Sequence, residues 1–360
     1  MKILVLNPGS SSMKSAAYEM PGEERVSEVD IDAVGVRVVH GGSRFETPAI
    51  VDDVVLGEIA KLSALAPLHN PLAVETIANV RRERNGVPVV AVFDTAFHRT
   101  LPRVASTYAI PQDLGIRRYG FHGISYSYVS KRLHALNAGD KLIVAHLGNG
   151  ASVCAIRGGE SIDTSMGFTP MEGLVMGTRG GDLDAGAILY LLSNRLRSGP
   201  SDLDDLLNHQ SGLRGLSGIS GDVRELEGSS DPNAQLALDV FAYRAAKYIA
   251  SYCAALNGVD AIAFTAGIGE HSASMRQRIC DRLAFLDVIL DDAANRASST
   301  EERRVSTGRI GVWVIPTNEE VEIARATYET LSLGRPTPPA VPGYACTPGA
   351  SWPLAFTYST

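Results

Sequence analysis

The stretch KILVLNPGSSSMKSAAY, residues 2–18, opens with an apolar run, breaks at Pro8, Gly9 and three serines, and resumes as a second extended run. It reads as a strand, a Gly-containing hairpin and a second strand. Such a stretch is usually a plain turn. It also offers unpaired backbone N–H groups and hydroxyl donors, and glycine admits close backbone approach, so it suits phosphate oxygens. The same arrangement recurs as IVAHLGNGASVCAIRGG, residues 143–159, with Gly150 opposite Gly9 and Ser152 opposite Ser11. Two readings of the echo stand. One is chance similarity between two hairpins. The other is a duplicated fold whose Gly/Ser loops face each other across a cleft and grip a polyphosphate from both ends.

Outward from the hairpins, short apolar runs alternate with helical patterns, the mark of an α/β chain. RVVH, VPVVAVFD, AIAFTAG and IGVWVIP read as further strands. NPLAVETIANVRRER, YSYVSKRLHAL, DAGAILYLLSNRL, PNAQLALDVFAYRAAKYIASYCAAL and NEEVEIARATYETL carry the helical 3.6-residue spacing. A chain of 360 residues is too long for one ordinary core and fits two domains. Hydrophobic content of 45% with 20% charged residues describes a globular protein, and a net charge of −7 gives no basic face for nucleic acid or an anionic membrane. No apolar run is long enough to span a bilayer, and the one at the start is too short for a secretory signal. A cytoplasmic location is expected. Cys154, Cys253, Cys280 and Cys346 lie far apart with no CxxC pair, which favours free thiols in a reducing compartment over a disulfide or zinc framework. Residues 334–360 carry six of the 18 prolines, so a disordered or loosely docked tail is expected.

Several loops could carry chemistry. No GxxxxGK[ST] occurs, which excludes a P-loop ATPase, and no HRD or DFG set, which excludes a protein kinase. FTAGIGEHS, residues 264–272, runs a strand into Gly-x-Gly and a helical segment, a place for nucleotide at a helix N-terminus or simply a tight turn. VPVVAVFDTAFH puts Asp94 at the carboxyl end of a buried strand, where ligands bind in open sheets; a helix N-cap is the equal alternative. His122, in RRYGFHGIS, sits in a Gly-flanked turn that is more often structural than catalytic. Arg179, in MEGLVMGTRGGDLD, is either solvated or able to reach a transferring phosphoryl group. Arg37, within VGVRVVHGG, must find a partner or a ligand if its strand is buried. VIPTNEE ends in Asn318, Glu319 and Glu320, which suit either Mg²⁺ beside phosphates or the first turn of a helix.

Taken together, LVLNPGSSSMK, RVVHGG, LAPLHNP, VFDTAFH, YGFHGIS, HLGNGAS, TSMGFTPMEGLVMGTRGGDLD, FTAGIGE and VIPTNEE resemble the acetate kinase family, in that family's order and over residues 1 to about 333. The family is part of the sugar kinase/actin/Hsp70 superfamily. The resemblance implies an α/β fold of two ribonuclease-H-like domains, an actin-like duplication with an interdomain cleft. It also implies reversible Mg²⁺-dependent phosphoryl transfer between ATP and acetate, giving acetyl phosphate and ADP, with Mn²⁺ as a substitute metal. By the same resemblance, Asn7 and Glu319 belong to the metal site. Ser10, Ser12 and Lys14 contact phosphate. His146, Leu147, Gly148, Asn149 and Gly150 join Asp222, Val223, Arg224, Gly267, Ile268, Gly269, Glu270 and His271 in the nucleotide site. Arg37 meets the substrate carboxylate, and Val39, Leu68, Phe121 and Pro170 surround its alkyl group. Asp94 is the active-site acid, and His122 and Arg179 stabilise the transition state.

The resemblance divides the chain into a substrate domain, residues 1–98 with a returning helix at 321–333, and a nucleotide and dimerisation domain, residues 99–320. It implies a homodimer. Departures from the family pattern are few. Only residues 19–35 separate the second strand from VRVVHGG, too few for a βαβ unit, so the first domain is expected to be abbreviated, lacking part of its sheet and a helix. Val36 stands where the family has histidine, and DLDAG replaces DLDPG. A propionate or other short-chain acid kinase is the nearest rival. Butyrate suits the pocket less, because Phe121 and Pro170 should crowd it. A non-catalytic nucleotide-binding protein would keep the Gly loops but has no need of Arg37, Asp94, His122 and Arg179 together.

Overall fold

The computed structural model describes residues 1–9, 13–67, 69–196, 199–332 and 334. Ser10, Ser12, Leu68 and the proline-rich tail, with the disorder expected of it, lie outside the described residues. The first six strands are β1 (Lys2–Pro8), β2 (Met13–Glu19), β3 (Glu24–Val26), β4 (Ala33–Val38), β5 (Ala49–Ile50) and β6 (Val89–Phe93). They form one sheet in the order β3-β2-β1-β4-β6-β5. A second sheet comprises β7 (Lys141–Leu147), β8 (Ala151–Arg157), β9 (Glu160–Thr164), β10 (Ala261–Thr265), β11 (Arg303–Arg304) and β12 (Gly311–Val314). Taken from the hairpin edge, its order is β9-β8-β7-β10-β12-β11, the same as that of the first. Directions repeat too. β1 pairs antiparallel with β2 and parallel with β4, and β4 is parallel to β6. Likewise β7 pairs antiparallel with β8 and parallel with β10, and β10 is parallel to β12. Matching order and direction through two whole sheets decides for duplication over chance.

The central strands are apolar on both faces because both faces are covered. Strand alternation sends Ile3 and Val5 into a cluster with Val321, Ile323 and Ala324 of the helix Glu319–Ser332. Leu4 goes the other way, to Ile59 of the helix Asp53–Lys61 and Ile77 of Asn70–Glu83. β7 divides in the same manner. Leu142 and Val144 meet Val129 and Leu133 of the helix Gly123–Ala135, while Ile143 and Ala145 meet the long helix Pro232–Leu256. The helix Asp53–Lys61, which fully buries only Val55 and Ile59, is not evident from periodicity; Asp52 caps it by accepting from the Val55 N–H at 2.7 Å.

The abbreviation falls on a crossover rather than on the sheet. Residues 27–32 join β3 to β4 with no helix, whereas the corresponding link from β9 to β10 holds the helix Pro232–Leu256. No helix lies between β3, three residues long, and β4, but the first sheet holds six strands in the same order as the second, so the expected loss of part of the sheet is corrected. The last helix lies very close to β4: a Cβ at Gly35 would sit 2.3 Å from Thr327 Oγ1, so only glycine fits there. Among the described residues no helix is long and apolar enough to cross a membrane.

Candidate active site

Parallel pairing of β1, β4 and β6 brings their carboxyl ends to one edge, the usual place for ligands in open sheets. Asn7, Arg37 and Asp94 sit at those ends. Asp94 starts the 3₁₀ segment Asp94–Thr100 but caps nothing; its carboxylate is 1% exposed and turned to Arg37. Arg37 donates from Nη2 to Asp94 Oδ2 at 2.6 Å and from Nε to Oδ1 at 3.2 Å. Its Nη1 donates to Asn7 Oδ1 at 3.1 Å and lies 3.8 Å from Glu319 Oε2. The charge in the apolar strand has thus found partners. Burial raises the Asp94 carboxyl above its ordinary value against the pull of Arg37. Arg37, though buried, is held protonated by Asp94 and Glu319.

Asn7 Nδ2 donates to Glu319 Oε2 at 3.1 Å and to Glu320 Oε1 at 3.3 Å. Asn318 is the N-cap of that last helix, accepting from the Val321 N–H at 3.0 Å, which leaves both glutamates free to face the site. Burial pushes Glu319 up, but Arg37, His146, Asn7 and Lys14 outweigh it, and its carboxyl lies below the ordinary range. The donors here are all hard oxygens, and among the described residues no group of three His, Cys, Asp or Glu could cage a metal alone. Such a sparse oxygen set fits Mg²⁺, which keeps waters and phosphates as its other ligands.

The second sheet supplies the opposite wall. The β7–β8 turn, Gly148–Gly150, faces the start of the helix Ala266–His271. His122 precedes the helix Gly123–Ala135 in a left-handed conformation, φ 59°. Its ring stacks on that of His146, centroids 4.1 Å apart. Burial, with help from His146, Arg37 and Arg179, keeps His122 far below the ordinary histidine value. Burial likewise lowers His146 to about 4, so both rings are neutral at pH 7. Arg179 donates from Nη1 to the Pro170 carbonyl at 2.5 Å, and burial alone lowers it to about 10. A Cβ built on Gly150 would lie 2.9 Å from Arg179 Nη2 and 3.4 Å from His122 Nε2, so these two groups converge on the glycine turn.

A cavity of about 370 Å³ lies between the walls, lined by Lys14, Arg37, His122, His146, Gly148, Asn149, Gly150, Gly267, Glu270, Glu319 and Glu320 among others. It adjoins a cavity of about 560 Å³ lined by Gly148, Asn149, Asp222, Val223, Arg224, Gly267, Ile268 and His271. Lys14 of the first hairpin, the Gly148–Gly150 turn of the second and Gly267 of the third Gly segment therefore meet. Leu147 and Gly269 line neither cavity: Leu147 turns its side chain into the core, and Gly269 packs under the loop against Phe264. Val39 and Phe121 belong to one apolar cluster with Ala66, and the carbonyl of Pro170 anchors Arg179.

Sequence reasoning passed over several neighbours. Burial, with Arg37 and Arg179 adding to it, lowers His69 to about 4. It lay in LAPLHNP, where a histidine before Asn-Pro reads as a helix start. Glu227 and Ser272 line the larger cavity and bond to each other at 2.5 Å. Thr317 lines the smaller one. Only Ser272, directly after GIGEH, had a signal worth following.

The Acetokinase family model matches residues 22–325. An acetate kinase of Heliobacterium modesticaldum is 49% identical over 314 residues, 84% of this chain and 79% of that protein. One from Thermotoga sp. RQ2 is 49% identical over 404 residues, covering 93% of this chain and all of that one. Among solved structures, Porphyromonas gingivalis acetate kinase superposes with a TM-score of 0.83 at 35% identity, covering 92% of this chain and 99% of that one. A propionate kinase from Francisella tularensis gives 0.85 at 37%, covering 91% and 99%. With its two sheets repeating one topology and its site residues gathered at their facing edges, this chain belongs to the acetokinase family.

Proposed function

We propose that the protein is an acetate kinase, catalysing reversible transfer of the ATP γ-phosphoryl group to acetate. The observation that carries this is the meeting, across one cavity, of the Arg37–Asn7–Glu319 cluster with the Gly148–Gly150 turn, His122 and Arg179. The nucleotide occupies the larger cavity, with its phosphates running toward Gly150 and Lys14. Acetate sets its carboxylate on Arg37 and its methyl group toward Val39, Phe121 and Pro170. A carboxylate oxygen then attacks the γ-phosphorus in line; the new P–O bond forms as the bond to ADP breaks, and no proton moves. Acetate is ionised at pH 7, so no strong base is required. Arg179 and the neutral His122 donate to the equatorial oxygens where charge spreads. Asn7, Glu319 and Glu320 would hold Mg²⁺ here, and the ion would supply positive charge to offset that of the phosphates. Holding both anions in one cleft supplies most of the remaining advantage. The two lobes, residues 1–98 with the last helix and residues 99–320, close on the substrates.

The test is ADP formation from ATP, Mg²⁺ and acetate, with the acyl phosphate trapped by hydroxylamine. Absence of acid-dependent turnover would favour a non-catalytic nucleotide binder. A propionate preference is the second reading, supported by the Francisella structure. A small apolar pocket separates acids differing by one methylene by roughly 10- to 200-fold. Propionate turnover within that range of acetate is expected.

A homodimer is the further reading. The helix Ala185–Asn194 is apolar on nearly every side yet buries none of its residues; Leu189 is 62% and Tyr190 55% exposed. A surface of that kind marks an association site, and a second copy is its occupant. Leu189→Lys is expected to yield monomers by sedimentation; a wild-type protein that already sediments as a monomer would refute this. Buried Cys154 and Cys280, both free thiols, support work in the cytoplasm.

A further inference from the structure

We propose that Ser152, backed by Tyr126, holds His122 in its Nε2–H tautomer, so that the cleft is offered a hydrogen-bond donor rather than a lone pair. The inference rests on the reading of His122 as a contact of the transferring phosphoryl group, and it adds a positioning residue to that reading.

The geometry is closed on all sides. Tyr126 lies one helical turn after His122, its N–H donating to the His122 carbonyl at 3.0 Å. Ser152 stands opposite His146 in the β7–β8 ladder, and the His146 ring stacks on His122. Ser152 Oγ therefore sits between His122 Nδ1, at 2.7 Å, and the Tyr126 hydroxyl, with which it makes a short contact. Tyr126 and Ser152 are both fully buried. Among the described residues, Ser152 is the sole partner of the Tyr126 hydroxyl, and Ser152 has no third partner.

Counting protons then fixes direction. The phenol and the serine each carry one hydrogen to donate, and the neutral ring carries one hydrogen on one of two nitrogens. If Nδ1 bore the ring hydrogen, it would donate to Ser152. Either the serine hydrogen or the tyrosine hydrogen would then be buried with no acceptor, which buried polar groups avoid. Only one arrangement satisfies every group: Tyr126 O–H donates to Ser152, Ser152 O–H donates to His122 Nδ1, and the ring hydrogen rests on Nε2. That nitrogen has no protein hydrogen-bond partner among the described residues and points toward Gly150 and the Arg179 guanidinium. Two donors then converge on one spot, an arrangement that waits for an anion. A bond to its outer nitrogen is a common way for a protein to choose a histidine tautomer.

The experiment is a long-range ¹H–¹⁵N correlation spectrum of the ¹⁵N-histidine-labelled full chain, with His122 assigned by its loss in His122→Gln. The expected wild-type pattern is Nε2–H. In Ser152→Ala the pattern should move to a mixture of tautomers. Turnover should fall about tenfold, because a preset donor to developing charge is partly lost, with KM for ATP unchanged. An Nδ1–H pattern in the wild type overturns the relay, with no variant needed. So does an unchanged Nε2–H pattern in Ser152→Ala. If the tautomer changes as expected while turnover does not, the relay stands and the catalytic reading of His122 fails, so the two claims separate.

Discussion

Arg179→Ala is expected to lose about 10³-fold or more in turnover, the scale of an arginine that stabilises phosphoryl-transfer charge, while ADP affinity changes by less than about threefold. The reasoning is electrostatic. Among the described residues no carboxylate pairs with Arg179; a peptide carbonyl at Pro170 anchors it, and burial alone lowers its value to about 10, so it remains protonated at pH 7. A buried cation without a counter-charge is costly to keep. The fold accepts that cost where an anion is due to arrive, and Gly150 leaves the room for it. Stability should therefore hold or rise in the variant, since the charge contributes to the reaction and not to folding. Steady-state kinetics, ADP titration calorimetry and a melting curve give the three readings. Turnover within tenfold of wild type would remove Arg179 from the transferring group.

Arg37→Ala should behave in the opposite way toward stability. It leaves Asp94, 1% exposed, with no cation, and Asn7 and Glu319 lose a partner as well. Breaking a buried pair from one side costs about 3–5 kcal/mol, much of it the desolvation of the charge left behind. Activity should fall through a higher KM for acetate, with KM for ATP little changed. Arg37→Met with Asp94→Ala should recover most of the stability and none of the acetate affinity, because the orphan charge goes but the carboxylate contact does not return. Denaturant titration and acetate-saturation kinetics on the three proteins check this. A stable single variant would mean that water reaches Asp94 and that the pair is not the desolvated anchor described above.

The contrast between these two arginines was not legible in their neighbourhoods along the chain. Arg37 lay in an apolar strand and had to be paired, which β-strand alternation alone could say. That its partner would be Asp94, 57 positions on, followed from parallel pairing of β4 with β6. Arg179 lay in a Gly-rich loop where solvation was the ordinary expectation, and only packing near Pro170 and Gly150 showed it half-buried without an acid. The Asp94 question, cap or ligand, was even on local grounds; its carboxylate caps no helix and is turned to Arg37 instead. His69 was missed because its interest lies in two arginines distant in sequence. Leu147 was included because motifs come as unbroken strings, whereas a strand sends alternate side chains to opposite faces.

By itself the sequence determined what periodicity and composition encode: the strands, the main helices, the α/β class, the doubled Gly hairpin and the ordered motifs that mark the family. Those are local, set by backbone conformation and by which face each residue presents. The tertiary structure alone decided that the abbreviated first half keeps its full strand order. It also decided which charges are paired, which imidazole nitrogen faces the cleft, and that Lys14 of the first hairpin and Gly148–Gly150 of the second line one cavity. Burial and hydrogen-bond partnership depend on residues brought together from far along the chain, and desolvation, which sets their energies, exists only once the core has closed.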